Sequence, residues 1–191
     1  DGVQATVAAF RRHGGRYAIA SVRPGRSAGG RLLEVRDADG RAWAGETFVF
    51  AAGPWLPRLF PDLLGDAIAV TRQDVCFVGP PAGDGRWHWR SLPAWCDHGA
   101  AIYGVGATAE HGMKIAPDGY GPTFDPTDGE RVVGPETIGT IRDYLQTRFP
   151  ALAGQPIAGT RVCQYETTLD GHFLLARHPG YENVWLAGGG S

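Results

Sequence analysis

Cysteine is scarce in this chain: three in 191 residues, at positions 76, 96 and 163. An odd number, widely scattered, argues against a disulfide framework and fits a reducing compartment, the cytoplasm. Zinc spacing is missing too. Cys163, Asp170, His172 and His178 match no tetrahedral pattern, so no metal is expected. Positive charge is short: 18 Lys and Arg against 20 Asp and Glu leave a formal charge of −2, which offers no basic footprint for nucleic acid. No apolar run approaches the roughly 18 residues of a membrane span, and no signal-peptide pattern opens the chain. Internal repeats and low-complexity tracts are absent.

What is present suits a folded core: 43% hydrophobic and 20% charged residues, in a length that fits one domain or one domain plus part of another. The 29 glycines and 14 prolines fall at turns. Both ends read as cut. Asp1 leads directly into a helical pattern without an initiator Met, and the chain stops at Gly188-Gly189-Gly190-Ser191 behind an apolar strand.

Val3, Val7 and Phe10 lie at helical spacing over residues 3–13, and Gly14-Gly15 stops that helix. Extended runs follow at 17–22, 32–36 and 47–52, with Asp39-Gly40 marking a hairpin. The run 47–52 ends on Gly53, and Pro54 opens a short helix reaching Phe60. Strand, glycine, helix is a common way to bring backbone amides close to a ligand, and an equally common tight connection. Residues 68–78 read as a strand, as do 86–90, with Trp87 and Trp89 sharing one face. Residues 101–105 and 113–116 form a further hairpin. Pro135 at the first turn, Glu136 at the positive end and the stripe Ile138, Ile141, Leu145, Phe149 define a long helix ended by Pro150. Extended runs at 159–167, 172–176 and 183–187 close the chain. The expected class is α/β at both ends, with a mainly antiparallel sheet and one long helix between them.

Strand alternation sets Arg161, Cys163 and Tyr165 on one face and Val162 and Gln164 on the other. An arginine beside a thiol favours the thiolate, the reactive form; a lone buried cysteine is more often inert packing. A Cys–His nucleophile using His172 lacks a third, orienting group. Lys114 stands in a mostly apolar stretch. If the hairpin before it turns around Thr108 and Ala109, Tyr103 faces it across the ladder; the plain alternative is a lysine reaching solvent from an edge strand.

Ala51-Ala52-Gly53-Pro54-Trp55, Arg72-Gln73, Tyr103-Gly104, Gly112-Met113-Lys114, Asp125-Pro126, Phe149-Pro150, Cys163-Gln164-Tyr165, Leu169-Asp170-Gly171-His172-Phe173, His178-Pro179 and Asn183-Val184 follow in that order. In order and spacing, from about residue 40 to the C-terminus, this resembles the sarcosine oxidase-like FAD-dependent amine oxidases of the D-amino-acid-oxidase superfamily. The block from 160 to 187 is the most specific part.

The resemblance implies FAD as cofactor, with Cys163 at the position of a cysteine that forms a thioether to the flavin 8α-methyl carbon; a dissociable FAD is equally compatible. It implies oxygen activation by Lys114 and a substrate pocket lined by Tyr103 and Tyr165. Gly53, Pro54, Trp55, Gly188 and Gly189 fall among cofactor-binding positions. The implied division is residues 1–66 in an FAD-binding Rossmann-like domain, 67–158 in the substrate-binding domain, and 159–191 back in the FAD-binding domain. The implied reaction takes a small-molecule secondary amine or N-methyl amino acid to an imine, with oxygen reoxidising the flavin. A dehydrogenase with a non-oxygen acceptor and a non-catalytic binding relative are the alternatives. The pattern departs at Asp118, where the family carries a histidine. No GxGxxG fingerprint occurs, so the piece alone is expected to be inactive.

Overall fold

A computed structural model describes residues 2–190; Asp1 and Ser191, the two ends read as cut, lie outside the described residues. The chain forms two compact units, one of residues 1–50 with 175–186, the other of residues 51–174 with 187–191.

The first unit opens with helix α1 (Gly2–Arg12), which stops as expected at Gly14, where φ is +85°. Strands β1 (Val22–Pro24), β2 (Ser27–Ala28), β3 (Arg31–Leu32), β4 (Glu34–Asp37) and β5 (Ala42–Ala44) follow. The expected extension over 17–22 is confined to its last residue. β1, β4 and β5 make an antiparallel sheet, and the β4–β5 turn uses Gly40 at φ +82°, a conformation that costs glycine little. Strand β6 (Phe48–Phe50) pairs in parallel with a C-terminal strand, Val184 opposite Phe48 and Leu186 opposite Phe50. Asn183 binds both the N–H and the C=O of Leu32, at 2.9 and 2.8 Å. That amide stands in for a strand partner and satisfies buried backbone groups.

The second unit begins with a tight 3₁₀ turn at Gly53–Trp55, then the short helices α2 (Leu56–Leu59) and α3 (Pro61–Leu64). Its body is a five-stranded antiparallel sheet. Strands β7 (Ile68–Val78), β8 (Trp95–Asp97), β9 (Ile102–Val105), β10 (Met113–Pro117) and β11 (Ile157–Thr168) lie in the order β11-β7-β10-β9-β8. Helix α4 (Pro135–Arg148) has Pro at its first turn, Glu136 at the positive end and Arg148 at the negative end. It packs Ile141, Tyr144 and Leu145 against Cys76, Val78, Ile102, Met113, Ile115 and Val162 on one sheet face. Each fully buried aliphatic there contributes roughly 1.5–3 kcal/mol of transfer free energy. Strands β12 (Leu174–Arg177) and β13 (Val184–Gly188) close the chain.

Residues 86–90 are not a strand. Asp84 accepts the Arg86 N–H at 3.2 Å and the Trp87 indole N–H at 2.9 Å, which caps a 3₁₀ turn over Gly85–Trp87. Those side-chain bonds outcompete an extended backbone. Trp87 therefore packs edge-on to Phe149, centroids 5.9 Å apart, while Trp89 is half exposed.

Candidate active site

Directly paired residues of an antiparallel sheet project to the same side. β7 sets Cys163 opposite Gln73 and Tyr165 opposite Thr71 on β11, and Phe77 opposite Lys114 on β10. β9 sets Val105 opposite Lys114 and Tyr103 opposite Ala116. Tyr103, Lys114, Cys163 and Tyr165 thus share one sheet face, the one turned away from α4. On this face they stand among apolar neighbours, Val75, Phe77, Val105 and Ala116.

Within it, Lys114 Nζ lies 4.6 Å from the centroid of the Tyr103 ring, a cation–π contact. The Tyr103 phenol neighbours that of Tyr165 and acts on it. Burial first, then the Tyr103 hydroxyl, then the Asp118 carboxylate push the Tyr165 phenol well above its ordinary 10, with Lys114 pulling the other way. Tyr165 is therefore held protonated at physiological pH.

Cys163 is a half-buried free thiol. The structure aims Arg161 elsewhere: its guanidinium sits over Phe77, 6.0 Å from the centroid. Phe77 pairs with Gly159 and Gln73 with Cys163, so the charge expected beside the thiol is directed toward the Lys114 end of the face. Four positions of β7 separate the partners of Cys163 and Lys114, about 13 Å along the strand.

The Gly53–Trp55 turn packs against β11. Gly53 has φ +55°, and no atom lies within 4 Å of where a Cβ would stand. Trp55 donates its indole N–H to Thr127 Oγ1 at 2.9 Å. Gly189 is buried at φ +71°, and a Cβ there would lie 2.8 Å from the His172 carbonyl oxygen and from Thr168 Cγ2. Gly188 faces Leu56 and Glu166. Glu166 alternates to the side of β11 opposite Cys163, so the two C-terminal glycines do not join the Lys114–tyrosine cluster. Burial raises the Glu166 carboxyl, opposed by the Gly190 and Gly189 N–H groups.

Sequence reasoning assigned no role to Gln73, which is buried and donates from Nε2 to the Gly119 carbonyl at 2.9 Å and to Thr71 Oγ1 at 3.3 Å. It stands within the polar run Thr71–Asp74 in the middle of the 68–78 strand.

The family model described as DAO, FAD dependent oxidoreductase, matches residues 2–191. The chain belongs to that family. Monomeric sarcosine oxidase of Bacillus sp. (strain NS-129) is 36% identical over 163 residues, covering 83% of this chain and 41% of that protein. Peroxisomal sarcosine oxidase of Homo sapiens is 25% identical over 167 residues, 83% of this chain and 42% of that protein. Among solved structures, Amadoriase I of Aspergillus fumigatus superposes with a TM-score of 0.81 at 24% identity, over 97% of this chain and 46% of that one. The fructosyl peptide oxidase of E. terrenum gives 0.83 at 18% identity, over 99% and 48%. At those identities the structures establish the fold. The chain spans less than half the length of the relatives it matches.

The residues present fit a flavin. One sheet face is free of α4 and carries two cations, Lys114 and Arg161, two phenols and a thiol. Open space stands before Gly53. The buried Thr167 Oγ1, on the Cys163 side of β11, has no hydrogen-bond partner among the described residues. No described helix is long and apolar enough to cross a membrane.

Proposed function

We propose that this chain is the central and C-terminal-proximal part of an FAD-dependent amine oxidase that takes a secondary amine or N-methyl amino acid to its imine. Its family membership and the sarcosine oxidases among its relatives support the class. Residues 67–158 serve as the substrate-binding part, and residues 1–66 and 159–191 as portions of the FAD-binding domain.

The observation that carries the reading is the Lys114 ammonium held 4.6 Å over the Tyr103 ring, with Tyr165 on the same sheet face. Bound FAD supplies the two-electron acceptor for the amine and returns those electrons to oxygen as hydrogen peroxide. Lys114 supplies a preorganised positive charge for the anion that develops when oxygen is reduced. Tyr103 and Tyr165 line the substrate pocket and orient the amine through groups that stay protonated. Cys163 holds the cofactor through a thioether, and Gly53, Pro54, Trp55, Gly188 and Gly189 provide backbone approach. Three free thiols fit a reducing, cytoplasmic setting.

The test is Lys114→Met in the full-length protein. Anaerobic flavin reduction by the amine should persist, while reoxidation by oxygen slows at least a hundredfold, on the scale of one lost electrostatic stabiliser. Unchanged peroxide formation would remove Lys114 from the oxygen reaction and favour a different electron acceptor.

A further inference from the structure

Asp118 follows β10, and its carboxylate reaches Cys96, the strand partner of Tyr103; its charge also acts on the Tyr165 phenol. The other aspartates around this sheet are engaged. Asp74 takes bonds from Arg72 at 2.8 Å and Thr137 at 2.9 Å. Asp97 takes the Ala100 N–H and the Tyr144 hydroxyl, both at 3.1 Å, with Arg148 at 3.4 Å. Among the described residues, the Asp118 carboxylate has one hydrogen-bond donor, the Cys96 thiol at 3.5 Å, and no ion pair. A thiol is a weak donor; His98 Nδ1 lies 3.8 Å from the same sulfur.

The backbone carrying this carboxylate is fixed. Asp118 N–H donates to the Ala101 carbonyl at 2.7 Å, and the next carbonyl, of Gly119, accepts from the buried Gln73 amide at 2.9 Å. Two residues on, Gly121 runs so close to the Arg72 carbonyl that a Cβ would clash with it. An exposed, unpaired anion on a clamped strap beside a candidate pocket is a ready partner for a cation.

We infer that Asp118 selects amines that carry a second cationic group, an ammonium or guanidinium distant from the nitrogen being oxidised. The inference rests on the amine-oxidase reading above. A nitrogen that gives up a hydride equivalent must be neutral, and a carboxylate beside it would hold it protonated. Lys114 on the same face disfavours a cation near itself. The negative end of the site therefore serves a distal positive charge, and the face as a whole is dipolar.

The experiment uses the full-length holoenzyme, wild type and Asp118→Asn, with Nα-methyl-lysine and its neutral isostere Nα-methyl-norleucine. Wild type should favour the lysine derivative by about fivefold in kcat/KM, the scale of one solvent-exposed ion pair. Asp118→Asn should bring that ratio to one by lowering kcat/KM for the lysine derivative about fivefold more than for the norleucine derivative. Asp118→Lys should turn the preference toward Nα-methyl-glutamate. Equal wild-type rates on the first two amines would overturn the inference, and so would an equal loss on both in Asp118→Asn, the mark of a merely structural strap. If neither amine reduces the flavin, the oxidase reading fails separately. Calorimetric binding of the same two probes then decides the selector: an Asp118-dependent preference for the lysine derivative supports it, and none overturns it.

Discussion

Lys114 and Tyr103 meet diagonally across the β9–β10 ladder, the ammonium 4.6 Å above the phenol ring, although neither residue is the other's direct partner. Lys114 pairs with Val105, and Tyr103 with Ala116. The sequence expectation of a direct pair assumed a turn around Thr108 and Ala109. The Thr108 hydroxyl instead accepts the Glu110 and His111 N–H groups at 3.3 and 3.1 Å, and Thr108 N–H closes on the His111 carbonyl at 2.8 Å. That centres the turn one residue later and slips the ladder by two. A slip of two keeps every side chain on its face, where a slip of one would have sent Lys114 into the core.

Replacing Tyr103 by Phe removes the hydroxyl that helps raise the Tyr165 phenol while keeping the ring beneath Lys114. The Tyr165 phenol should then ionise at lower pH than in wild type yet still above its ordinary 10, because burial is the larger cause of its elevation. A raised native value means the folded state holds the proton more tightly. Its stabilising contribution is complete below pH 10 and is lost as the pH rises toward the native value. Phenolate absorbance in an alkaline titration of the full-length protein reads this directly. Identical titrations in wild type and Tyr103→Phe would show the Tyr103 hydroxyl to be without consequence for Tyr165.

Cys163 gives a cleaner readout. Acid precipitation of the full-length protein should leave the yellow colour with the pellet, and Cys163→Ser should release it to the supernatant. Colour in the supernatant of wild type would reduce Cys163 to a wall residue opposite Gln73. With the Arg161 guanidinium over Phe77, Arg161→Met should change the tether little; a large loss of retained colour would show that its charge reaches the thiol after all.

Most of the second unit was legible because its signals are local. The strand 68–78 and the helix opened by Pro135 carry their own periodicity and proline brackets, and β7 and α4 appear as read. Faces were legible too, since alternation alone sets Cys163 and Tyr165 together. What failed to show was side-chain chemistry acting on the backbone: Asp84 closing a turn where two tryptophans suggested a strand, and Thr108 resetting a hairpin. The Gln73 clamp on the Gly119 carbonyl joins positions far apart in the chain, and no periodicity carries that information.

Ile141 tests the side of the sheet away from the site. It is fully buried on α4 among Cys76, Met113, Ile115 and Val162. Ile141→Ala should destabilise the full-length protein by about 2–5 kcal/mol, the sum of lost transfer energy and residual cavity. Urea unfolding measures it. The sheet backbone sets the opposite face, so the KM of the surviving folded enzyme should stay near wild type. A loss under 1 kcal/mol would mean α4 is not what holds the sheet.

The first unit has its own acid-sensitive element. Glu34 on β4 is buried and accepts from Arg36 Nε at 2.6 Å and Arg26 Nη2 at 3.0 Å. The bond from Arg26, then that from Arg36, bring its carboxyl down to about 2 from an ordinary 4.5. A depressed native value places the stabilising contribution above pH 4.5, with loss as the pH falls through about 2. Glu34→Gln keeps the shape and removes the charge, so it should be less stable than wild type near neutrality. The difference should shrink below pH 4.5 and close near pH 2, where wild type is itself protonated. Paired urea titrations from neutral to about pH 2 measure that gap. Because both proteins share every other carboxylate, a gap that stays constant across the range would show that the two arginines contribute nothing through Glu34's charge.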